Sequence, residues 1–334
     1  MSPEVRAVLA MDPRPPRDVL VADLRERLRP HAQVHEEVLT DFAAPGARAA
    51  LAGADVLVTG WGSPRVSAEV VAAAPRLRAV VHAAGTVRHH LSPAVWDRGI
   101  AVSSAAAANA VPVAEYTLAV VLLAGKRVLE SAHEYARVRS RAATAVSDAG
   151  GNHGATVGVL SASLVGRRVV ELLRPFDLRV LLHDPYVADA DVRALGAEPV
   201  GLAELFGRSD VLTVHTPLLP ETTGLVDAGL LARLRDGATL VNTARGPVVD
   251  ADALTAELLS GRLHAVLDVT DPEPLPPQHP LWGLPNVLLT PHVAGSAGNE
   301  LQRLTASAAA EVERFAAGRP FAHPVTRTAL ERSA

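Results

Sequence analysis

Short apolar runs of strand length recur along this chain, each followed by a stretch whose apolar positions fall at helical spacing. The runs are Val5 to Leu9, Asp55 to Thr59, Leu77 to His82, Ala155 to Leu160, Leu178 to His183, Asp210 to Val214, Ala238 to Val241, Leu263 to Leu267 and Val287 to Leu289. With no hairpin signals between them, they predict βαβ units, so the chain reads as an α/β protein built on parallel sheets. This many strands would be unusual in one open twisted sheet, which predicts two sheets and two lobes. An alanine-rich connector at Ser103 to Asn109, ahead of a long apolar helix from Val111 to Val128, marks one break. A second follows Gly295, where Gly298 and Asn299 precede a helix that runs to Ala316. The expected domains are residues 1–106 with 296–334 as one lobe and 107–295 inserted as the other, with the site in a cleft between them.

Composition narrows the function classes. A chain of 334 residues, 49% hydrophobic and only 3% aromatic, is long enough for two globular domains. The absence of cysteine excludes disulfides, thiolate metal sites and thiol nucleophiles. A net charge of -4 with interspersed signs gives no footprint for nucleic acid or anionic lipid, so a small-molecule partner is expected. Met1 to Ala10 lacks the layout of an export signal, and Val111 to Gly125, interrupted by Glu115, reads as too short to span a bilayer. A cytoplasmic location is the resulting expectation, and no metal-ligand constellation is legible.

Three segments of the second half place a polar side chain just past a strand-like run: Asn242-Thr243-Ala244-Arg245-Gly246, Asp268 to Pro274, and Thr290-Pro291-His292-Val293-Ala294-Gly295. In an open parallel sheet the carboxyl ends of the strands face one crevice, so Arg245, Glu273 and His292 can converge. Taken singly, each has a bland reading: a surface histidine, an arginine at a helix C-terminus, a solvated carboxylate in a proline-rich loop.

The inserted lobe also carries a dinucleotide signal. Ser161-Ala162-Ser163-Leu164-Val165-Gly166 follows the buried strand Thr156 to Leu160 and opens a helix, but of the G-x-G-x-x-G pattern only Gly166 remains. Asp184 closes the next strand near the expected spacing of about 20 residues, where a carboxylate accepts from a ribose 2'-hydroxyl and repels a 2'-phosphate. NAD is therefore expected over NADP. The two serines cost strain or distance, whereas the amides at Leu164 and Val165 still point at phosphate and Ser163 could add a hydroxyl donor. The competing reading is a strand-to-helix turn that has lost its ligand.

Together with Ala84-Gly85-Thr86-Val87, Asn109 to Glu115, and His215-Thr216-Pro217-Leu218 with Glu221-Thr222, the three ordered motifs resemble the D-isomer-specific 2-hydroxyacid dehydrogenases over most of the chain. The resemblance implies a Rossmann NAD-binding domain inserted into a flavodoxin-like substrate domain, and a homodimer formed through the cofactor lobe. It implies that Arg245 binds the substrate carboxylate, that His292 exchanges a proton with the substrate oxygen, and that Glu273 orients the imidazole and raises its pKa. It further implies that Asp268 contacts the nicotinamide amide, that Thr243 and Ala244 border that ring, and that His215, Thr216 and Pro217 line the adenosine side. Amides around Gly85, Thr86 and Val87 would hold the substrate carboxylate, with Trp61 as a wall. Arg88, His89 and His90 stand where the family usually has an acidic or amide pair. The implied activity is NAD-dependent interconversion of a 2-oxo acid and a D-2-hydroxy acid. Formate or phosphite oxidation is the nearest enzymatic alternative, although Glu273 stands where formate enzymes carry glutamine. A corepressor-like dinucleotide sensor with weakened catalysis is the alternative from another class.

Overall fold

Residues 5–14, 17–88, 90–141 and 150–330 are described in the computed structural model, so His89 of the basic loop lies outside the described residues. Two compact units emerge, one from residues up to Ala110 together with those from Ser296 onward, the other from Val111–Gly295.

The first unit is a five-stranded parallel sheet: β1 (Arg6–Ala10), β2 (Gln33–Leu39), β3 (Val56–Thr59), β4 (Ala79–His82) and β5 (Ala101–Ser104), ordered β2-β1-β3-β4-β5. Alternate side chains on each strand feed opposite faces, as the period of two requires. Ala7, Leu9, Val56, Val58, Ala79 and Val81 pack under the helices Asp18–Leu28 and Leu301–Ala316. Val8, Ala10, Leu57 and Val80 pack on the other side. Burial on both faces explains why these strands read as continuous apolar runs.

The second unit has seven parallel strands: β6 (Thr156–Leu160), β7 (Arg179–His183), β8 (Glu198–Pro199), β9 (Val211–Val214), β10 (Thr239–Asn242), β11 (His264–Leu267) and β12 (Val287–Leu289). Their order is β12-β11-β10-β9-β6-β7-β8, with the switch point between β6 and β9. Leu212, Val214, Leu240, Ala265 and Leu267 supply one core, while Val157, Val159, Val241 and Val266 supply the other. The chain is thus an α/β protein with two doubly wound parallel sheets, as the hydrophobic pattern predicted.

Three strands escaped that pattern, all at sheet edges. β2 (QVHEEVL) pairs only with β1, and most of its side chains are at least partly solvent-accessible. β8 has two residues. β5 occupies part of the expected connector: Ser103 and Ser104 end a strand, and Ser103 Oγ donates to the His323 carbonyl at 2.9 Å. The remainder of the connector is helical, so the long helix runs over Ala106–Gly125 and not from Val111 to Val128. At 20 residues it is long and apolar enough to cross a membrane by length and composition, which corrects the expectation that it is too short. Its Ala114, Val120 and Val121 pack in the core of the second unit.

Two features of this packing are open to test. Gly158 lies within β6, where a Cβ would come 2.1 Å from Ser209 Oγ and 2.9 Å from Leu212 Cδ1. Gly158→Ala should destabilise the protein by about 1–3 kcal/mol through overpacking, read as a lower denaturation midpoint. The second feature is a pair of buried histidines. Burial holds His215 down to about 3. It also holds His82 well below the ordinary histidine value, with the nearby His90 adding to the effect. Depressed folded-state pKa values leave both rings neutral while the unfolded chain takes up protons, so stability is intact above about pH 6.5 and falls as the pH drops below it. Thermal melts at pH 7.5 and pH 5 should show a lower midpoint in acid, and His215→Leu should flatten that slope.

Candidate active site

At the end of β10, Asn242 builds a turn from its own side chain. Its Oδ1 accepts from Ala244 N at 3.0 Å, and its Nδ2 donates to the Arg245 carbonyl at 3.0 Å. The loop after β11 presses against this turn, since a Cβ on Gly246 would lie 2.0 Å from the Thr270 carbonyl oxygen. Arg245 is half-buried and donates to the Ala244 carbonyl at 2.6 Å. Desolvation draws its pKa down, and the charge of Glu273 pulls the other way.

Asp268, 2% exposed at the end of β11, gathers the segment after β12. Its Oδ1 accepts from Thr290 Oγ1 at 2.6 Å and Val293 N at 2.8 Å, and its Oδ2 accepts from Ala294 N at 2.9 Å. The Asp268 carbonyl accepts from His292 N at 3.0 Å. Held between these bonds, His292 takes a left-handed backbone at φ +56°, a region where histidine is tolerated better than bulky residues. Its Nδ1 lies 2.7 Å from Glu273 Oε1, and both side chains remain nearly half exposed, at 49% and 43%. Three adjacent strand ends therefore bring Arg245, Glu273, His292 and Asp268 together.

Two residues absent from the sequence reading complete this framework. Tyr116 OH lies 2.9 Å from Thr290 Oγ1, whose proton goes to Asp268, so the phenol donates. Desolvation raises the Tyr116 pKa. Thr117, fully buried, donates to the Val113 carbonyl and sits 3.3 Å from Thr243 Oγ1. The hydroxyls of these consecutive residues thus reach the loops after β12 and β10. Both are hidden within the apolar stripe of the long helix, and the only sequence signal is two hydroxyl-bearing residues in tandem there.

The dinucleotide turn follows β6. Gly166 cannot be larger, because a Cβ there would lie 2.0 Å from the Ser161 carbonyl oxygen. Ser161 adopts φ +83°. Its hydroxyl donates to Asp184 Oδ2 at 3.1 Å, and Ala162 N donates to the same oxygen at 2.8 Å. Ser163 caps the helix Leu164–Leu173, with its Oγ accepting from Gly166 N and donating to the His215 carbonyl at 2.8 Å. The Ser163 hydroxyl proton thus goes to the His215 carbonyl. Across from the turn, His215 and Thr216 are buried at the end of β9, and both ring nitrogens of His215 lack a partner among the described residues. Thr222 Oγ1 donates to the Pro217 carbonyl at 2.6 Å.

The first unit holds the remaining predicted residues at its own strand ends. Trp61 follows β3 and packs against the core, and its carbonyl accepts from Asp12 N at 2.9 Å. Gly85, Thr86 and Val87 follow β4, with Val87 buried and Thr86 Oγ1 accepting from Arg88 N at 3.2 Å. Beside them Thr59 Oγ1 bridges His82 Nδ1 at 2.9 Å and His90 Nε2 at 3.2 Å.

Residues 118–294 match the family model described as "D-isomer specific 2-hydroxyacid dehydrogenase, NAD binding domain". The chain is 35% identical to the D-3-phosphoglycerate dehydrogenase of Mycobacterium leprae over 81% of its own length but 51% of that protein's, so it spans about half of that relative. It is 33% identical to the glyoxylate reductase of Aeropyrum pernix, over 80% of this chain and 82% of the other. Among solved structures, apo D-mandelate dehydrogenase of Rhodotorula graminis superposes with a TM-score of 0.79 at 25% identity, over 97% of this chain and 98% of the other. The NAD complex of Staphylococcus aureus formate dehydrogenase does so with a TM-score of 0.69 at 25% identity, over 96% and 98%. With a matching family model over more than half its length, the chain belongs to the NAD-binding D-isomer specific 2-hydroxyacid dehydrogenase family of oxidoreductases.

Proposed function

We propose that this protein is an NAD-dependent dehydrogenase that interconverts a 2-oxo acid and a D-2-hydroxy acid. The observation that carries the reading is the 2.7 Å contact between His292 Nδ1 and Glu273 Oε1, beside a half-buried Arg245. NAD(H), held by the residues named below, would supply the hydride chemistry in either direction. Arg245 binds the substrate carboxylate with its planar fork, an interaction that partial burial strengthens. His292 holds a proton on Nε2 for the carbonyl oxygen and regains it in the oxidative direction, while Glu273 fixes the ring through Nδ1.

The chain's own residues fit the dinucleotide. Gly166 keeps the turn tight, and the amides of Leu164 and Val165 open a helix N-terminus, the usual phosphate site. Asp184 stands at the end of β7 for the ribose, and the partnerless His215 nitrogens with Thr216 and Pro217 line the adenosine side. Asp268, Thr243 and Ala244 stand at the nicotinamide end. We further propose a cytoplasmic homodimer acting on a small molecule. The helix Val128–Val138 packs Leu129 on its own core but exposes Val128 and Tyr135, and Leu123 of the preceding helix is also exposed.

His292→Asn should abolish NADH consumption with every member of a panel of 2-oxo acids, by about 100-fold or more, while NADH binding by fluorescence titration stays within about twofold. Wild-type turnover in this variant would defeat the proton-donor role. No turnover by the parent enzyme on any panel member would favour the dinucleotide-sensing alternative. For assembly, light scattering should give twice the chain mass, and the double variant Leu123→Glu with Tyr135→Glu should give one; a monomeric parent would overturn the dimer.

A further inference from the structure

Two serines replace glycines in the dinucleotide turn, and they have diverged in what they do. The Ser163 hydroxyl is spent on its own helix and the His215 carbonyl. Ser161 reaches across to the end of β7, donating to Asp184 Oδ2 at 3.1 Å beside the Ala162 amide at 2.8 Å. The Tyr186 amide holds Oδ1 at 2.9 Å. The backbone of Ser161 stands at φ +83°, where glycine is unstrained and serine is not. The strain coincides with a gain that glycine cannot provide, a hydroxyl donor to a carboxylate.

We propose that Ser161 is a specificity-determining residue that sets the preference for NAD over NADP by positioning Asp184. This rests on the reading of Asp184 as the partner of the adenosine ribose. A carboxylate earns its discrimination by staying put: it accepts from a 2'-hydroxyl, and it repels a 2'-phosphate only if it cannot rotate aside. Donors on both oxygens fix the plane of the Asp184 carboxylate, and Ser161 supplies the one side-chain donor among the three. Charge-assisted hydrogen bonds of this kind are the stronger class, so its loss should be measurable.

The experiment titrates NADH and NADPH fluorescence against the full-length parent, Ser161→Ala, Ser161→Gly, Asp184→Ala and the double variant Ser161→Ala with Asp184→Ala, with a thermal melt of each cofactor-free protein. Ser161→Ala should narrow the ratio Kd(NADPH)/Kd(NADH) by about fivefold. Ser161→Gly should narrow it similarly while melting higher than the alanine variant, because glycine accepts the left-handed backbone. In the Asp184→Ala background the serine substitution should change nothing further. Folded serine variants that keep the parental ratio would overturn the proposal, as would an equal narrowing when Asp184 is absent. If Asp184→Ala itself leaves both affinities unchanged, the ribose reading fails instead.

Discussion

The buried carboxylate of Asp268 is the interaction on which the rest of the second unit's functional edge depends. An ionisable group 2% exposed is tolerable only if it is surrounded by donors, and the chain supplies three from one short segment, Thr290, Val293 and Ala294. Folding the segment around that carboxylate leaves His292 at its apex, forces its backbone left-handed and turns its ring toward Glu273. The Asn242 turn does the equivalent for Arg245, and the absence of a side chain at Gly246 lets the two loops touch. Satisfying buried polar groups and setting the His292 ring against Glu273 are here a single geometric solution.

Much of the fold was legible because doubly buried strands must be apolar throughout. β1, β3, β4, β6, β7 and β9 to β11 announce themselves in this way, the edge strand β12 does so through its apolar run Val287 to Leu289, and each boundary read from the sequence lies within two residues of the strand observed. The edge strands β2, β5 and β8 did not, because an edge need not be apolar. β2 carries two adjacent glutamates between its valines, and β5 ends in two serines, of which Ser103 bonds a carbonyl more than 200 residues away. Such partners are fixed by tertiary structure and leave no local periodicity.

The functional edge divides along the same line. Arg245, Glu273 and His292 were singled out by their position after strands, since topology alone brings such positions to one side of a sheet. Tyr116 and Thr117 were missed because within a helix of high apolar content a tyrosine and a threonine read as filler, and only the partners at Thr290 and Thr243 show otherwise. Ser161 and Ser163 look alike in sequence yet have separate partners. Which hydroxyl faces Asp184 follows from the left-handed turn at Ser161, a conformation that no spacing rule assigns to serine.

The left-handed backbone at His292 also narrows what the position can become over evolutionary time. Only glycine, asparagine, aspartate and histidine occupy that region at modest cost. Among these, histidine alone gains and loses a proton near neutrality in its unperturbed state. A lineage that drifts away from histidine while keeping the loop would fall first on residues that hold the shape without the proton. The loop's geometry thus tolerates replacements that keep its shape while removing an imidazole from the end of β12.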